Sequence, residues 1–268
     1  MVASETSIVF LHIPKTAGQT IHSELARVMG ETQVSPIRVH TQAKTPEEQF
    51  PEGYRLYSGH IDWVALDKVP QPRFVFTVLR DPLERIASFY FYLLRQAQDM
   101  TEKQRAEPSR VGMRMIMDNS VDDYFFGGNP QWKKFINDHY NSPYCAYLVT
   151  GKIRGFSSVA RQPRKRLVNR AVQAAEKLNA IYSVDRLDVL ERDLEAQLGI
   201  NVDLTGRFVN AAPKGQNTKR WPQLEKLIER DETRDGLMDF ARADQVLMHR
   251  LGLGPKPPRL EPRQTGSD

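Results

Sequence analysis

A single cysteine, Cys145, occurs in 268 residues. No intrachain disulfide can form, a thiolate metal site lacks partners, and a reducing compartment is the expected home. Also missing is any window of about 18 consecutive apolar residues, so no membrane-spanning helix is expected. Residues 1–7, MVASETS, have neither the basic start nor the apolar core of a signal peptide. The expectation is a cytoplasmic protein with no stable membrane anchor. His12, His22, His40, His60, His139 and His249 show no ligand spacing with carboxylates or with the cysteine, so no metal site is expected. His139 and His249 read as surface residues. No internal repeat is visible, and the Gly-Lys-Ser/Thr that grips nucleoside triphosphates does not occur.

What is present is the composition of an ordinary globular protein, 40% hydrophobic and 26% charged. One domain over residues 1–253 is the simplest organisation, followed by a Pro-rich, polar, disordered tail at 254–268. The 38 basic residues outnumber the 33 acidic ones, for a net charge of +5, which favours anionic ligands without choosing among nucleotides, acidic sugars and nucleic acid.

Residues 8–13 (IVFLHI) form an apolar run that ends at Pro14, the pattern of a buried parallel strand with His12 packed inside it. From Gly18, the apolar positions Ile21, Leu25, Val28 and Met29 recur at helical spacing until Gly30. Residues 31–53 read as a loop, Tyr54 to Ser58 as a short strand leading to Gly59-His60, and Ile61 to Asp67 as a short helix. A second strong strand is RFVFTVL at 73–79. Asp81-Pro82-Leu83-Glu84 then opens a long helix with a cap, a proline at the first helical position and a glutamate at the third. Leu83, Ile86, Ala87, Tyr90, Leu93, Leu94 and Ala97 trace its apolar face.

Residues 99–120, charged and Met-rich without a clear period, are expected to be a mobile insertion or lid. Val121 to Phe126 and Trp132 to Asp138 read as short helices, while YCAYLV at 144–149 suits strand or helix equally. Leu167 to Leu178 reads as a helix, residues 180–184 as a strand and Leu187 to Leu198 as a helix. Two more helices, Trp221 to Arg230 and Leu237 to Leu251, make the C-terminal part helical. Strands alternating with helices predict an α/β fold, a central parallel sheet flanked by helices on both faces, with ligands at the carboxyl ends of the strands.

Two loops leave such strand ends. In HIPKTAGQT, Lys15 follows the strand, Gly18 permits close backbone approach at a helix start, and Thr16 and Thr20 add hydroxyls, a set suited to enclosing a phosphate or sulfate. The alternative is an ordinary strand-to-helix turn with a solvated lysine. In FVFTVLRDPLERIASFY, Arg80 ends a strand and offers a planar fork, Asp81 caps the helix, and Ser88, two turns in, reaches only an anion lying alongside the helix. Here the alternative is that Arg80 pairs with a nearby carboxylate.

Together these two segments resemble the halves of the donor site in sulfotransferases that use 3'-phosphoadenosine-5'-phosphosulfate (PAPS), nearest to the carbohydrate branch that includes heparan-sulfate and uronosyl 2-O-sulfotransferases. The resemblance covers about 40 residues. It implies a P-loop-type three-layer fold and no metal requirement. The 5'-phosphosulfate falls to Lys15, Thr16, Ala17, Gly18, Gln19 and Thr20, and the 3'-phosphate to Arg80 and Ser88. It also implies a basic C-terminal loop, for which Lys214, Gly215, Lys219 and Arg220 are the candidates.

Sulfuryl transfer needs an in-line acceptor and a stabilised leaving oxygen, which casts Lys15 as the catalytic cation. The acceptor hydroxyl needs a base. His60, in YSGHI, resembles the catalytic histidine of the 2-O-sulfotransferase branch, although Ser58 stands where that motif often carries another histidine; Asp62 is the fallback. The implied partner is a hydroxyl-bearing acceptor, a saccharide by family likeness, and no nucleic acid.

The basic run RQPRKRLVNR at 161–170 reads as a solvated helix start, with an acidic sugar as the alternative occupant. Two other functions compete. A P-loop-type small-molecule kinase wants Gly-Lys-Ser/Thr and an acidic metal ligand at a strand end, for which only Asp81 is on offer. A non-catalytic polyanion binder fits the charge balance but brings no recognition motif.

Overall fold

The computed structural model describes residues 6–206 and 219–257. Among these, β1 (Ser7–Leu11), β2 (Leu56–Gly59), β3 (Arg73–Leu79) and β4 (Ala180–Ser183) form one wholly parallel sheet in the order β2-β1-β3-β4. In register, Val9 lies between Tyr57 and Val75, and Phe10 between Ser58 and Phe76. Helices follow in the order α1 (Gly18–Met29), α2 (Pro82–Gln98), α3 (Glu102–Arg105), α4 (Val111–Asp118), α5 (Val121–Phe126), α6 (Pro130–Tyr140), α7 (Pro143–Thr150), α8 (Arg164–Ala175), α9 (Leu187–Leu198), α10 (Trp221–Glu225) and α11 (Asp231–Arg250).

Strand side chains alternate between the two faces, and each face meets its own helical layer. Ile8, Phe10, Phe74, Phe76 and Val78 pack with Ile21 and Leu25 of α1 and Leu187, Leu190 and Leu194 of α9. Val9, Leu11, Val75 and Leu79 pack with Tyr144 and Tyr147 of α7, Leu167 and Ala171 of α8, and Leu247 of α11. A third cluster joins α2 to the helical remainder through Ile86, Tyr90, Leu93, Tyr124, Trp132, Tyr140, Leu224 and Leu237. This is the α/β architecture expected from the sequence, with a parallel sheet between helical layers and a helical C-terminal part.

Several local expectations change. YCAYLV is helix α7, and its side chains are buried nearly all round, which is why no period was visible. Ser142, at φ 50°, gives that helix no side-chain cap. Asp244 of α11 caps it instead, accepting the N–H groups of Tyr144 (3.0 Å) and Cys145 (2.9 Å). Burial pushes the Asp244 carboxyl up to about 6.

Residues 61–67 are no helix beyond the single tight turn Leu66–Lys68, and α10 stops at Glu225 rather than running to 230. The supposed lid at 99–120 contains α3 and α4, with Ile116 buried against the α2 cluster. The loop at 31–53 contains short turns; its Val34 bridges β2 at Leu56 and its Val39 bridges His60, just beyond β2, both in parallel fashion. His12 lies one residue beyond β1 rather than inside it. Among the described residues no helix is long and apolar enough to cross a membrane. Lys214, Gly215 and residues 258–268 of the expected tail lie outside the described residues.

Candidate active site

The loops after β2, β1 and β3 leave the same sheet edge side by side, because the three strands are neighbours. The loop after β1 carries two non-glycine residues in the left-handed region, Lys15 at φ 74° and Ala17 at φ 62°. Each such conformation costs about 1 kcal/mol or more, and alternation of this kind turns backbone N–H groups into an anion-binding concavity. Ala17 precedes α1 without a side-chain cap, and no acidic residue stands in the first turn. The first N–H groups of a 12-residue helix therefore face the loop without an acidic side chain to neutralise them.

Thr16 is fully buried and donates its hydroxyl proton to Ile13 O (2.9 Å), closing the turn from within. Thr20 is buried, Gln19 exposed. Gly18 also has a packing task. A Cβ on it would lie 1.8 Å from His12 Nε2, so its missing side chain makes room for the His12 ring beneath the loop. Gly18→Ala is expected to push the ring and the loop apart, lowering the melting temperature and weakening anion binding together; thermal denaturation with and without ligand measures both.

Lys15 is half-buried, and its ammonium lies 3.8 Å from the centroid of the Tyr92 ring on α2. Burial, followed by the positive charges of Arg220, Arg95, Arg80 and Arg85, lowers its pKa to about 8. The positive charges that act on Lys15 favour an anionic ligand beside it.

The segment after β3 supplies most of those cations. Asp81 caps α2 by accepting the Glu84 N–H (2.9 Å), with Pro82 at the first helical position. Glu84 does not complete the reciprocal cap. Its two carboxylate oxygens accept the N–H groups of Arg220 (2.9 Å) and Trp221 (3.0 Å), and it meets Arg80 Nη2 at 3.3 Å. Glu84 thus docks the start of α10 onto α2, and Arg220 Nη1 donates to Ser88 Oγ (2.6 Å). Arg80, Ser88 and Arg220, widely spaced in the chain, come together, while Lys219 is exposed.

Arg85 was not singled out in the sequence. Only 2% exposed, it donates from Nε to Pro14 O (3.0 Å) and from Nη1 to His139 O (2.8 Å), so it pins the residue before Lys15 to α6. His139, expected at the surface, is packed between Phe89 and Phe135, and burial drives its pKa to about 3. His249 is exposed as expected.

His60 follows β2. Its Nδ1 lies 2.8 Å from His12 O, and because a carbonyl only accepts, Nδ1 carries the proton and Nε2 keeps its lone pair. Burial, with Arg38, Arg85 and His40 adding positive charge, holds its pKa below the ordinary histidine value against the pull of that hydrogen bond. That shift favours the neutral imidazole. Gly59 must lack a side chain because a Cβ would lie 2.1 Å from Arg38 O on the neighbouring segment. The Arg38 guanidinium contacts Ser58 O and His22 Nε2. Asp62 also makes structural contacts: its Oδ1 accepts the Ile153 N–H (2.8 Å), and its backbone N–H donates to Gln49 (2.7 Å).

The sulfotransferase family model matches residues 1–176, from β1 through α8, and so includes all three of these loops. The chain belongs to the sulfotransferase family. Among curated proteins there is no significant match. Arg220, which the sulfotransferase places on Ser88, lies beyond the matched residues. Of the residues missed by sequence reading, Arg85 carried the clearest signal, as the second arginine of the R-D-P-x-x-R segment, and Tyr92 lies one helical turn beyond Ser88 on the same face of α2. Arg38 acts through partners distant in the chain and gave none, whereas Glu84, read from the sequence as part of a helix start, is the nearby carboxylate with which Arg80 pairs.

Proposed function

We propose that this sulfotransferase is PAPS-dependent and transfers to a hydroxyl group, with a saccharide as acceptor. The observation that carries the reading is the set of basic groups around Lys15, which meets the uncapped start of α1 on one side and the Arg80–Ser88–Arg220 group on the other. A donor with a phosphosulfate at one end and a separate phosphate at the other fits two such groups better than one contiguous triphosphate does. In this reading the backbone N–H groups of residues 16–20 hold the 5'-phosphate end, and Arg80, Ser88 and Arg220 hold the 3'-phosphate. Lys15 supplies the positive charge nearest the loop. When bound, PAPS supplies the sulfuryl group and departs as PAP.

His60 takes the acceptor proton at Nε2, and its bond to His12 O fixes the ring in the tautomer that leaves this nitrogen free. Asp62 stays the fallback base, with its Oδ1 accepting the Ile153 N–H. The saccharide assignment rests on the YSGHI likeness alone. Calorimetric titration with PAP and, separately, with ATP–Mg²⁺ tests the donor: PAP is expected to bind tightly and ATP–Mg²⁺ weakly. Tight ATP–Mg²⁺ binding without PAP binding contradicts the reading and restores the kinase alternative.

A further inference from the structure

We propose that Tyr92 is the positioning residue of Lys15, its ring face holding the ammonium between the loop after β1 and the face of α2 that carries Ser88. The inference rests on the proposed role of Lys15 in the donor site, but it concerns a contact that exists without any donor.

The Lys15 Nζ stands 3.8 Å from the ring centroid, within the range at which the negative face of an aromatic quadrupole attracts a cation. A flexible lysine stem has many alternatives, and four arginines push the ammonium away from where it is held. The phenol accepts the Gln96 Nε2–H at 2.7 Å, which fixes the ring from its far edge and leaves its face to the lysine. Tyr92 and Ser88 are four residues apart and stack along one side of α2, so the ring places the ammonium one turn from the Ser88–Arg220 contact. Ring and helix thereby set the spacing between the two groups of cations.

Two effects of the ring on Lys15 have opposite signs, and this decides the test. As a filler that excludes water, the ring would lower the lysine pKa, and its removal would let the value rise. As a quadrupole that stabilises the charge, it raises the pKa, and its removal lowers the value further. The pKa of Lys15 is measurable on the full chain from the pH dependence of its labelling by a trace amine-reactive reagent, read by mass spectrometry.

The wild-type value is expected near 8. Tyr92→Leu is expected to lower it by about one unit, and Tyr92→Phe, which keeps the ring face, to leave it nearly unchanged. A Tyr92→Phe protein carrying progressively fluorinated phenylalanine at that position keeps the volume while draining the quadrupole, so it serves if the leucine variant fails to fold; its Lys15 pKa is expected to fall stepwise. A value that stays constant through the fluorinated series, or rises in Tyr92→Leu, overturns the proposal. PAP titration runs alongside as a separate readout. Wild-type protein that fails to bind PAP while Lys15 follows the ring chemistry removes the donor assignment and leaves the Tyr92 inference standing.

Discussion

His60→Ala is expected to lower turnover by about 10²- to 10⁴-fold while leaving PAP affinity within about twofold of wild type, because general-base catalysis contributes on that scale. The dissociation of the two effects is the point of the experiment. His60 follows β2 and bonds to His12 O ahead of the loop after β1, whereas the groups proposed to hold the donor are the backbone of residues 16–20 with Arg80, Ser88 and Arg220, so removing its imidazole leaves those groups themselves in place. Its pKa, held down mainly by burial, places the acid limb of the pH–rate profile below the ordinary histidine value, with activity rising as His60 loses its proton. That limb should disappear in His60→Ala. A variant with unchanged turnover removes the base assignment, and Asp62→Asn then becomes the next variant to measure.

Lys15→Met is expected to lower turnover by about 10²- to 10³-fold, the scale of losing one preorganised electrostatic contact, and to weaken PAP binding as well. The pH dependence gives a sharper signature. A bound anion favours charged Lys15, so the bound-state pKa lies above the free-state value of about 8. Below that pH the lysine is already protonated and contributes no slope. Above it, binding must take up a proton, and the PAP dissociation constant is expected to rise by up to about tenfold per pH unit until the bound-state pKa is reached. Lys15→Met should bind more weakly and show no such slope. Activity in the wild type then has two limbs, rising through His60 and falling through Lys15. Calorimetry across pH 6 to about 10 measures the binding part directly, and a slope retained in Lys15→Met would assign the alkaline limb to another group.

The parallel sheet was legible because IVFL and RFVFTVL are apolar on both faces, as strands covered on both sides must be, and because Asp81-Pro82 marks a helix start by local chemistry alone. Helix α7 was illegible for the matching reason: a helix buried nearly all round has no polar side, and its cap comes from Asp244 about a hundred residues later. The lid expected at 99–120 reflected a weak period, yet Ile116, with Met113 and Met115 beside it, packs α4 into the cluster around α2.

In the site, the loop after β1 and the Arg80–Ser88 segment announced themselves through spacing. The sequence could not say that the missing side chain of Gly18 makes room for His12, that Thr16 turns its hydroxyl inward, or that Glu84 joins residues 80, 220 and 221. Each of these depends on groups that meet only after folding. The burial of His139 belongs with them, since its aromatic neighbours come from α2 as well as from its own helix.

Transfer of radiolabelled sulfate from PAPS to a panel of saccharides, peptides and small hydroxylated metabolites, run with wild type and His60→Ala side by side, tests the central claim most directly. Label is expected in a saccharide hydroxyl with the wild type and near background with the variant, although both proteins bind PAP equally. Label appearing equally with both proteins, or PAP binding with no transfer to any hydroxyl acceptor, would contradict the account.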